Sequence, residues 1–150
     1  MINEANINIR PLESGDINKG YFELLSQLTS AEKPSEEDFI KRVEEINKRN
    51  CEKIIVCENL SDKKIIGTIT IIIELKFIHN LGKVAHVEDF VVDSNYRGLH
   101  LGTKLMNLAK DLAKKENCYK IILDCNEKLK TFYEKFDFIQ NNYSMQLYFK

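Results

Sequence analysis

The order of hydrophobic patterns along the chain predicts an α/β (α+β) fold, with a mixed, twisted sheet of about six to seven strands flanked by about four helices. Runs rich in β-branched residues alternate with segments whose apolar residues recur at helical spacing. The strands in the middle of the chain are joined by short turns and therefore pair antiparallel. A helical segment separates two late strands, which therefore pair parallel.

The first part of the chain predicts one strand and one helix. Ile7 and Ile9 alternate with polar residues, and Pro11 ends this strand. Ser14 or Asp16 is expected to cap the helix that follows. Its apolar face is expected to comprise Ile17, Tyr21, Leu24, Leu25 and Leu28.

The middle of the chain predicts a second helix and three strands. The helix begins at residues 35–38, where Ser-Glu-Glu-Asp resembles a capping box with Asp in place of Glu or Gln. Residues 54–57 and 65–77 are rich in β-branched residues and predict two strands. A turn at residues 80–82 is expected to return the chain antiparallel as the strand 84–92.

The last part of the chain predicts a helix, a strand, a second helix and a final strand. These cover residues 103–115, 119–124, 127–136 and 138–149. Ligands of sheets with a parallel pair bind beyond the carboxyl ends of the strands. Residues that follow the strands 84–92 and 119–124 are therefore candidates for a binding site.

Composition predicts one domain, residues 1–150, of an ordinary globular protein with 43% hydrophobic and 30% charged residues. Its 22 basic and 23 acidic residues give a net charge of −1, which argues against nucleic acid as a partner. The N-terminus does not resemble a signal peptide, and the apolar residues 65–75 are too few to span a bilayer. We therefore expect a cytoplasmic protein without a membrane partner.

The cysteines and histidines predict neither disulfides nor a metal site. Cys51, Cys57, Cys118 and Cys125 form no CxxC pair, and we expect reduced, mostly buried thiols. His86-x-Glu88 shares the opening of a zinc deaminase motif, but no Pro-Cys-x-x-Cys follows. No other cluster has the spacing of metal ligands.

Residues 93–102 predict an anion site, because a loop with Gly98 and Gly102 follows an apolar strand and opens a helix. Backbone N–H groups and the helix dipole at such a position bind phosphate or pyrophosphate. The spacing from Arg97 to Gly102 suggests coenzyme A. His100 stands where a glycine is expected, but histidine is enriched in the left-handed region, so its N–H remains usable there.

Three carboxylates and one tyrosine are candidates for chemistry. Glu88 and Asp89 would point to opposite faces of a regular strand, so a shared site requires a β-bulge near Asp89–Phe90. One could instead be solvated and the other structural. Asp124 could orient a substrate amine or cap the following helix. Tyr133 could serve a site or pack in the core.

Residues 97–102 after an apolar strand resemble the acetyl-CoA loop of the GCN5-related N-acetyltransferases. Further blocks, in the same order, resemble the glucosamine-6-phosphate N-acetyltransferases. They are residues 76–79, 82–86, 86–90, 93–97, 118–125, 132–135 and 145–146. The likeness is close over residues 70–147 and elsewhere extends only to the order of the elements. Several ordered blocks are far more specific than one glycine loop.

The resemblance implies that acetyl-CoA is the co-substrate and that this chain has the fold of that superfamily. It also implies that the backbone of Phe90 and Val91 pairs with the pantetheine arm and polarises the thioester carbonyl. The acetyl-CoA contacts implied are Phe90, Val91, Val92, Arg97, Gly98, Leu99, His100, Leu101, Gly102, Thr103, Lys104 and Asn126.

The resemblance further implies glucosamine 6-phosphate as the acetyl acceptor and a homodimer whose last strand packs on or exchanges with the partner. Glu88, Asp124 and Tyr133 would be catalytic, with Tyr133 donating to the leaving thiolate. The substrate contacts implied are Thr29, Lys76, His79, Glu88, Asp89 and Asp124. Without the resemblance, a lysine at a turn such as Lys76 would simply be solvated.

Three residues depart from the family pattern: His100 in the loop, Asp137 at a turn where glycine is usual, and Tyr148 in place of a basic residue. We expect direct attack of the amine in a ternary complex, since no cysteine has a His–Asp pattern nearby. Two alternatives stay open. The acceptor could be another amine, or the chain could bind acyl-CoA without catalysis.

Overall fold

The computed structural model describes residues 6–149 and contains one five-stranded sheet in the order β1-β2-β3-β4-β5. The strands are β1 (Ile7–Pro11), β2 (Glu52–Asn59), β3 (Lys64–Leu75), β4 (Lys83–Val92) and β5 (Cys118–Ile122). Neighbours from β1 to β4 pair antiparallel, and β4 and β5 pair parallel. The antiparallel pairing of β3 with β4 and the parallel pairing of β4 with β5 confirm the predictions.

Within residues 6–149, five helices and two short 3₁₀ segments, Ser14–Asn18 and Ser94–Tyr96, accompany the sheet. The helices are α1 (Tyr21–Leu25), α2 (Glu36–Arg49), α3 (Ile78–Leu81), α4 (Leu101–Lys115) and α5 (Glu127–Glu134). Ser35 caps α2 by accepting a hydrogen bond from the Asp38 N–H at 3.1 Å, which confirms the predicted start of this helix. α4 makes the crossover between the parallel strands.

The sheet separates two apolar cores. Ile55 and Cys57 of β2 belong to one core and Val56 to the other, because successive strand residues point to opposite faces. The first core contains residues of α4 and α5, and the second contains residues of α1 and α2. The prediction of helices packed on the sheet is therefore confirmed.

The single helix predicted after β1 is wrong. Gly20 adopts φ +79°, a left-handed conformation that ends the 3₁₀ segment before α1 begins. Glu13 rather than Ser14 precedes the first turn, and the Asp16 carboxylate accepts from the Glu13 N–H at 2.8 Å. Leu28 follows α1 and is exposed, so it does not extend the apolar face.

The predicted strand 138–149 is also wrong for the single chain, so the sheet has fewer strands than the six to seven expected. A strand needs a neighbouring strand that satisfies its backbone groups, and these residues pair with none inside the described chain. The large apolar side chains of this C-terminal segment are exposed: Ile139, Tyr143, Met145, Leu147, Tyr148 and Phe149.

Two further predictions concerned the burial of the cysteines and the absence of a membrane-spanning segment. Of the four cysteines, all unpaired, only Cys57 is buried and Cys125 is exposed, so the expectation of mostly buried thiols is wrong. Within residues 6–149, none of the helices is both long enough and apolar enough to cross a membrane. Residues 1–5, on which the expectation about signal peptides depends, and Lys150 lie outside the described residues.

Candidate active site

A β-bulge interrupts the pairing of β3 with β4 at the position predicted from the two adjacent carboxylates. Thr70 pairs with Glu88 and Thr68 pairs with Val91, so two residues of β4 lie opposite one residue of β3. Asp89 takes up the extra length with φ +44°. The bulge re-aims the strand and removes the strict alternation that would separate the two carboxylates.

Glu88 lies within electrostatic reach of Asp89 and Asp124. Its side chain is exposed, yet partial desolvation of the carboxyl raises its pKa, and the negative charges of Asp89 and Asp124 raise it further. The charge of His86 acts in the opposite direction. The structure thus brings together the three carboxylates that the sequence nominated.

Asp124 does not cap α5, so that alternative is wrong. Asn126 is the cap, and its Oδ1 accepts from the Leu129 N–H at 3.2 Å. Asp124 Oδ2 instead accepts a hydrogen bond from the Ser144 hydroxyl at 3.0 Å. The Asp124 carboxylate therefore stays at the sheet edge, where the C-terminal segment contacts it.

Tyr133 combines a packed ring with an open hydroxyl. The residue is 7% exposed, and its ring lies 5.2 Å from Phe132 and 6.4 Å from Phe90, centroid to centroid. Burial, and to a lesser extent Cys125, raises the pKa of Tyr133 to about 12. Within residues 6–149 its hydroxyl has no hydrogen-bond partner, and it is not sealed from solvent. Core packing and hydrogen-bond donation are thus compatible.

The loop before α4 has the backbone that the anion hypothesis requires. Gly98 adopts φ +87°, and His100, at the N-cap, adopts φ +54° and ψ +20°. The His100 side chain does not cap this helix, so the first-turn N–H groups, beginning with Leu101, Gly102 and Thr103, face outward from the helix end. A left-handed histidine thus replaces the expected glycine.

Gly102 allows the start of α4 to approach aromatic side chains. A Cβ at this position would lie 3.4 Å from Phe132 Cζ and 3.6 Å from Phe90 Cζ. Lys104 continues the helix, with its N–H bonded to the His100 carbonyl at 3.0 Å. Its side chain lines a groove shared with Ile9, on the side of β1.

The remaining loop and strand residues have distinct surroundings. Phe90, Val92 and Leu99 pack against the core beneath α4, whereas Val91 packs against the other core. Arg97 is exposed. The bulge thus lies between residues that anchor β4 on both faces of the sheet.

The tip of the β3–β4 hairpin carries Lys76 and His79. Lys76 forms an ion pair with Glu74, so it is not merely solvated. His79, at φ +53°, places its ring 4.3 Å from the Tyr119 ring. The two predicted substrate contacts at this turn therefore have fixed surroundings.

Thr29 lies far from that hairpin tip within one chain. It follows Gln27, whose side-chain oxygen accepts from the Ser94 N–H at 2.9 Å, just beyond the end of β4. Lys76 and His79 precede the start of the same strand. β4 has ten residues, so its ends are on the order of 30 Å apart. Thr29 and the hairpin tip do not form one pocket in a single chain.

Comparison with known proteins identifies the family. The model of the acetyltransferase (GNAT) family matches residues 19–138. The chain belongs to the acetyltransferase (GNAT) family. The fold predicted from the resemblance is confirmed, with the lower strand count described above.

The glucosamine 6-phosphate N-acetyltransferase of Arabidopsis thaliana is 43% identical to this acetyltransferase, covering 94% of this chain and 95% of its own. Glucosamine 6-phosphate N-acetyltransferase 1 of Dictyostelium discoideum is 42% identical, covering 97% and 92% respectively. The crystal structure of the Arabidopsis enzyme matches with a TM-score of 0.93 at 42% identity, covering 96% of this chain and 99% of that one.

Sequence reasoning missed four features of this acetyltransferase site. His86 Nε2 lies 2.8 Å from Glu74 Oε2, and Gln27 anchors Ser94. The other two are the Ser144 contact to Asp124 and the nearness of Cys125 to Tyr133. Each of these contacts joins residues of different elements, so nothing in the sequence indicated it.

No metal centre is evident in the part of the chain that the structure describes. No three His, Cys, Asp or Glu side chains of residues 6–149 are grouped closely enough to hold an ion.

Proposed function

We propose that this protein transfers the acetyl group of acetyl-CoA to the 2-amine of glucosamine 6-phosphate, by direct attack of the amine in a ternary complex. The observation that carries the proposal is the bulge at Asp89, which joins three carboxylates to the strand that leads into the anion loop. The similarity to glucosamine 6-phosphate N-acetyltransferases supports this acceptor.

The geometry of the loop supports a pyrophosphate site. The outward N–H groups at the start of α4, together with Gly98 and His100 at positive φ, provide donors and room for an anion. At the bulge, β4 interrupts its regular pairing with β3, which supports the use of the Phe90 and Val91 backbone for the pantetheine arm and the thioester carbonyl.

Glu88 and Asp124 would handle the proton of the substrate amine. The amine must be neutral to attack the thioester carbonyl, so a carboxylate has to accept its proton directly or through water. A raised pKa makes Glu88 a better proton acceptor than an ordinary carboxylate. Asp124, whose charge reaches Glu88, would orient the amine.

Tyr133 would donate its proton to the departing thiolate. With a pKa of about 12, the phenol stays protonated at neutral pH, and its hydroxyl has no competing partner within residues 6–149. When the carbon–sulfur bond breaks, the developing negative charge on sulfur would be stabilised by this donor.

The protein would act as a homodimer. Thr29 and the hairpin tip with Lys76 and His79 lie at opposite ends of β4, so a substrate pocket that uses both requires two copies. The exposed apolar side chains of the C-terminal segment support pairing of residues 138–149 with a partner chain.

The test is thiol release from acetyl-CoA across a panel of amines. We expect glucosamine 6-phosphate to react far faster than glucosamine, because Lys76 and His79 matter only when a phosphate is bound. Equal rates would contradict the sugar-phosphate acceptor. Faster turnover of a polyamine or peptide amine would support the first alternative, and acetyl-CoA binding without turnover of any amine would support the non-catalytic one.

A further inference from the structure

Glu74, His86 and Glu88 form a row along one face of the sheet. His86 and Glu88 are two residues apart in β4, before the bulge, so their side chains point to the same face. Glu74 of β3 pairs with Val84, which places it diagonally across from His86. This face carries the line of three titratable side chains toward the candidate active site.

Direct contacts fix the first two members of this line. His86 Nε2 lies 2.8 Å from Glu74 Oε2, and the other oxygen of that carboxylate binds Lys76. The His86 side chain is 27% exposed, so its ring is partly covered as well as bonded. The Glu74 carboxylate therefore orients the imidazole.

The third member, Glu88, has two negative neighbours and one positive one. Asp89 follows it in the bulge, and Asp124 approaches from beyond β5, where Ile122 pairs with His86. Asp89 and Asp124 favour the protonated carboxylic acid, whereas the charge of His86 favours the carboxylate. Without His86, Glu88 would face like charges alone among the charged groups that act on it in residues 6–149.

We propose that Glu74 and His86 form a positioning pair that keeps Glu88 ionised and ready to accept the proton of the substrate amine. The inference rests on the proposed role of Glu88 as proton acceptor. In the step itself, the amine nitrogen forms a bond to the acetyl carbon and its proton goes to the Glu88 carboxylate. His86 exchanges no proton with the amine in this step, so it is a positioning residue and not the base.

The first test is the pH dependence of kcat/KM for His86→Gln and Glu74→Gln beside the wild type. Removing the imidazole, or the carboxylate that holds it, leaves Glu88 with Asp89 and Asp124. Glu88 then protonates at higher pH, and the acid limb of the profile moves upward by about one pH unit or less, given solvent screening. Glu116→Gln is the matched control, because it breaks the surface pair with Lys83.

The second test measures the titration of the Glu88 carboxyl itself and does not require catalytic turnover. Carbon-13 NMR of the protein labelled at glutamate carboxyls, with the signal assigned by Glu88→Gln, gives the titration midpoint of this group. We expect the midpoint to rise in both variants and not in Glu116→Gln. His86→Asn is a second variant in case His86→Gln does not fold.

The outcomes separate this inference from the proposed function. A Glu88 midpoint that is unchanged in the His86 and Glu74 variants overturns the positioning pair, whatever the activity. A wild type that does not acetylate glucosamine 6-phosphate overturns the proposed function, while the NMR titration still decides whether His86 controls Glu88.

Discussion

The Gln27 side-chain oxygen accepts a hydrogen bond from the Ser94 backbone N–H at 2.9 Å. Gln27 belongs to the loop between α1 and α2, and Ser94 begins the turn between β4 and the anion loop. The loop that carries Thr29 is therefore tied to the segment that leads into the proposed pyrophosphate site.

Gln27→Ala is expected to raise the KM for acetyl-CoA by about 2- to 10-fold, the effect of losing one neutral hydrogen bond. The turn at Ser94 loses its side-chain anchor, whereas the carboxylates and Tyr133 keep their surroundings, so kcat changes less. Steady-state kinetics measure both constants. Asn6→Ala removes an exposed amide that contacts the Ser61 hydroxyl and should leave them unchanged. Equal effects of the two substitutions would show that the Ser94 contact has no role.

Tyr133→Phe is expected to lower kcat by about 100-fold or more, the usual scale of general acid catalysis, with little change in KM. The melting temperature should stay close to that of the wild type, because the ring packing is kept and the hydroxyl has no partner within residues 6–149. An unchanged kcat would leave Tyr133 as a packing residue only.

Gly82→Ala is expected to raise the KM for glucosamine 6-phosphate. A Cβ at Gly82 would lie 3.0 Å from the His79 carbonyl oxygen and 3.0 Å from Tyr119 Cδ1. Both must move, which displaces the hairpin tip without touching the acetyl-CoA loop, so the KM for acetyl-CoA should not change. Gly15→Ala is the matched control, because no atom lies within 4 Å of its added Cβ. An unchanged KM for both substrates would contradict the assignment of the hairpin tip to the substrate pocket.

Asp16→Asn is expected to lower the free energy of unfolding by about 3 kcal/mol at neutral pH. Asp16 is fully buried and accepts two hydrogen bonds from Arg10, each at 2.7 Å. Asp16→Asn leaves this guanidinium with an incomplete set of acceptors. Glu45→Gln, which breaks an exposed pair with Arg42, is the control and should cost far less.

The stability difference between the wild type and Asp16→Asn should depend on pH. Burial alone would raise the pKa of Asp16, but hydrogen bonds from Arg10 and Glu13 and the charge of Arg10 lower it below the ordinary value of 3.8. The stabilisation is therefore complete above the unfolded pKa and is lost as pH falls through the lower folded pKa. Denaturation at neutral and strongly acidic pH measures it. A difference that stays constant into strong acid would contradict this assignment.

The sequence was sufficient for features that depend on local patterns. The apolar residues change from helical to strand spacing after residue 53, and this change predicted β2, β3 and β4. The helix between β4 and β5 implied that these two strands pair parallel. The bulge was predictable because Glu88 and Asp89 could share one site only if the strand lost its alternation. Each of these inferences needs only neighbours along the chain.

Other features depend on distances across the fold. The break at Gly20 was hidden because the apolar residues on both sides of it keep helical spacing. The contact between Glu74 and His86 requires the register of β3 against β4, which the sequence does not fix residue by residue. The separation of Thr29 from Lys76 likewise emerges only when both ends of β4 are located.

The left-handed His100 has a consequence for how such anion loops are recognised. At the N-cap of α4, the conformation with φ +54° directs the backbone into the first helical turn, and the side chain caps no N–H group. What the loop requires is thus a dihedral angle, which glycine adopts easily and which histidine adopts at a modest cost. Searches that insist on glycine at this position will overlook related loops, whereas a profile that also accepts Asn, Asp and His would retain them.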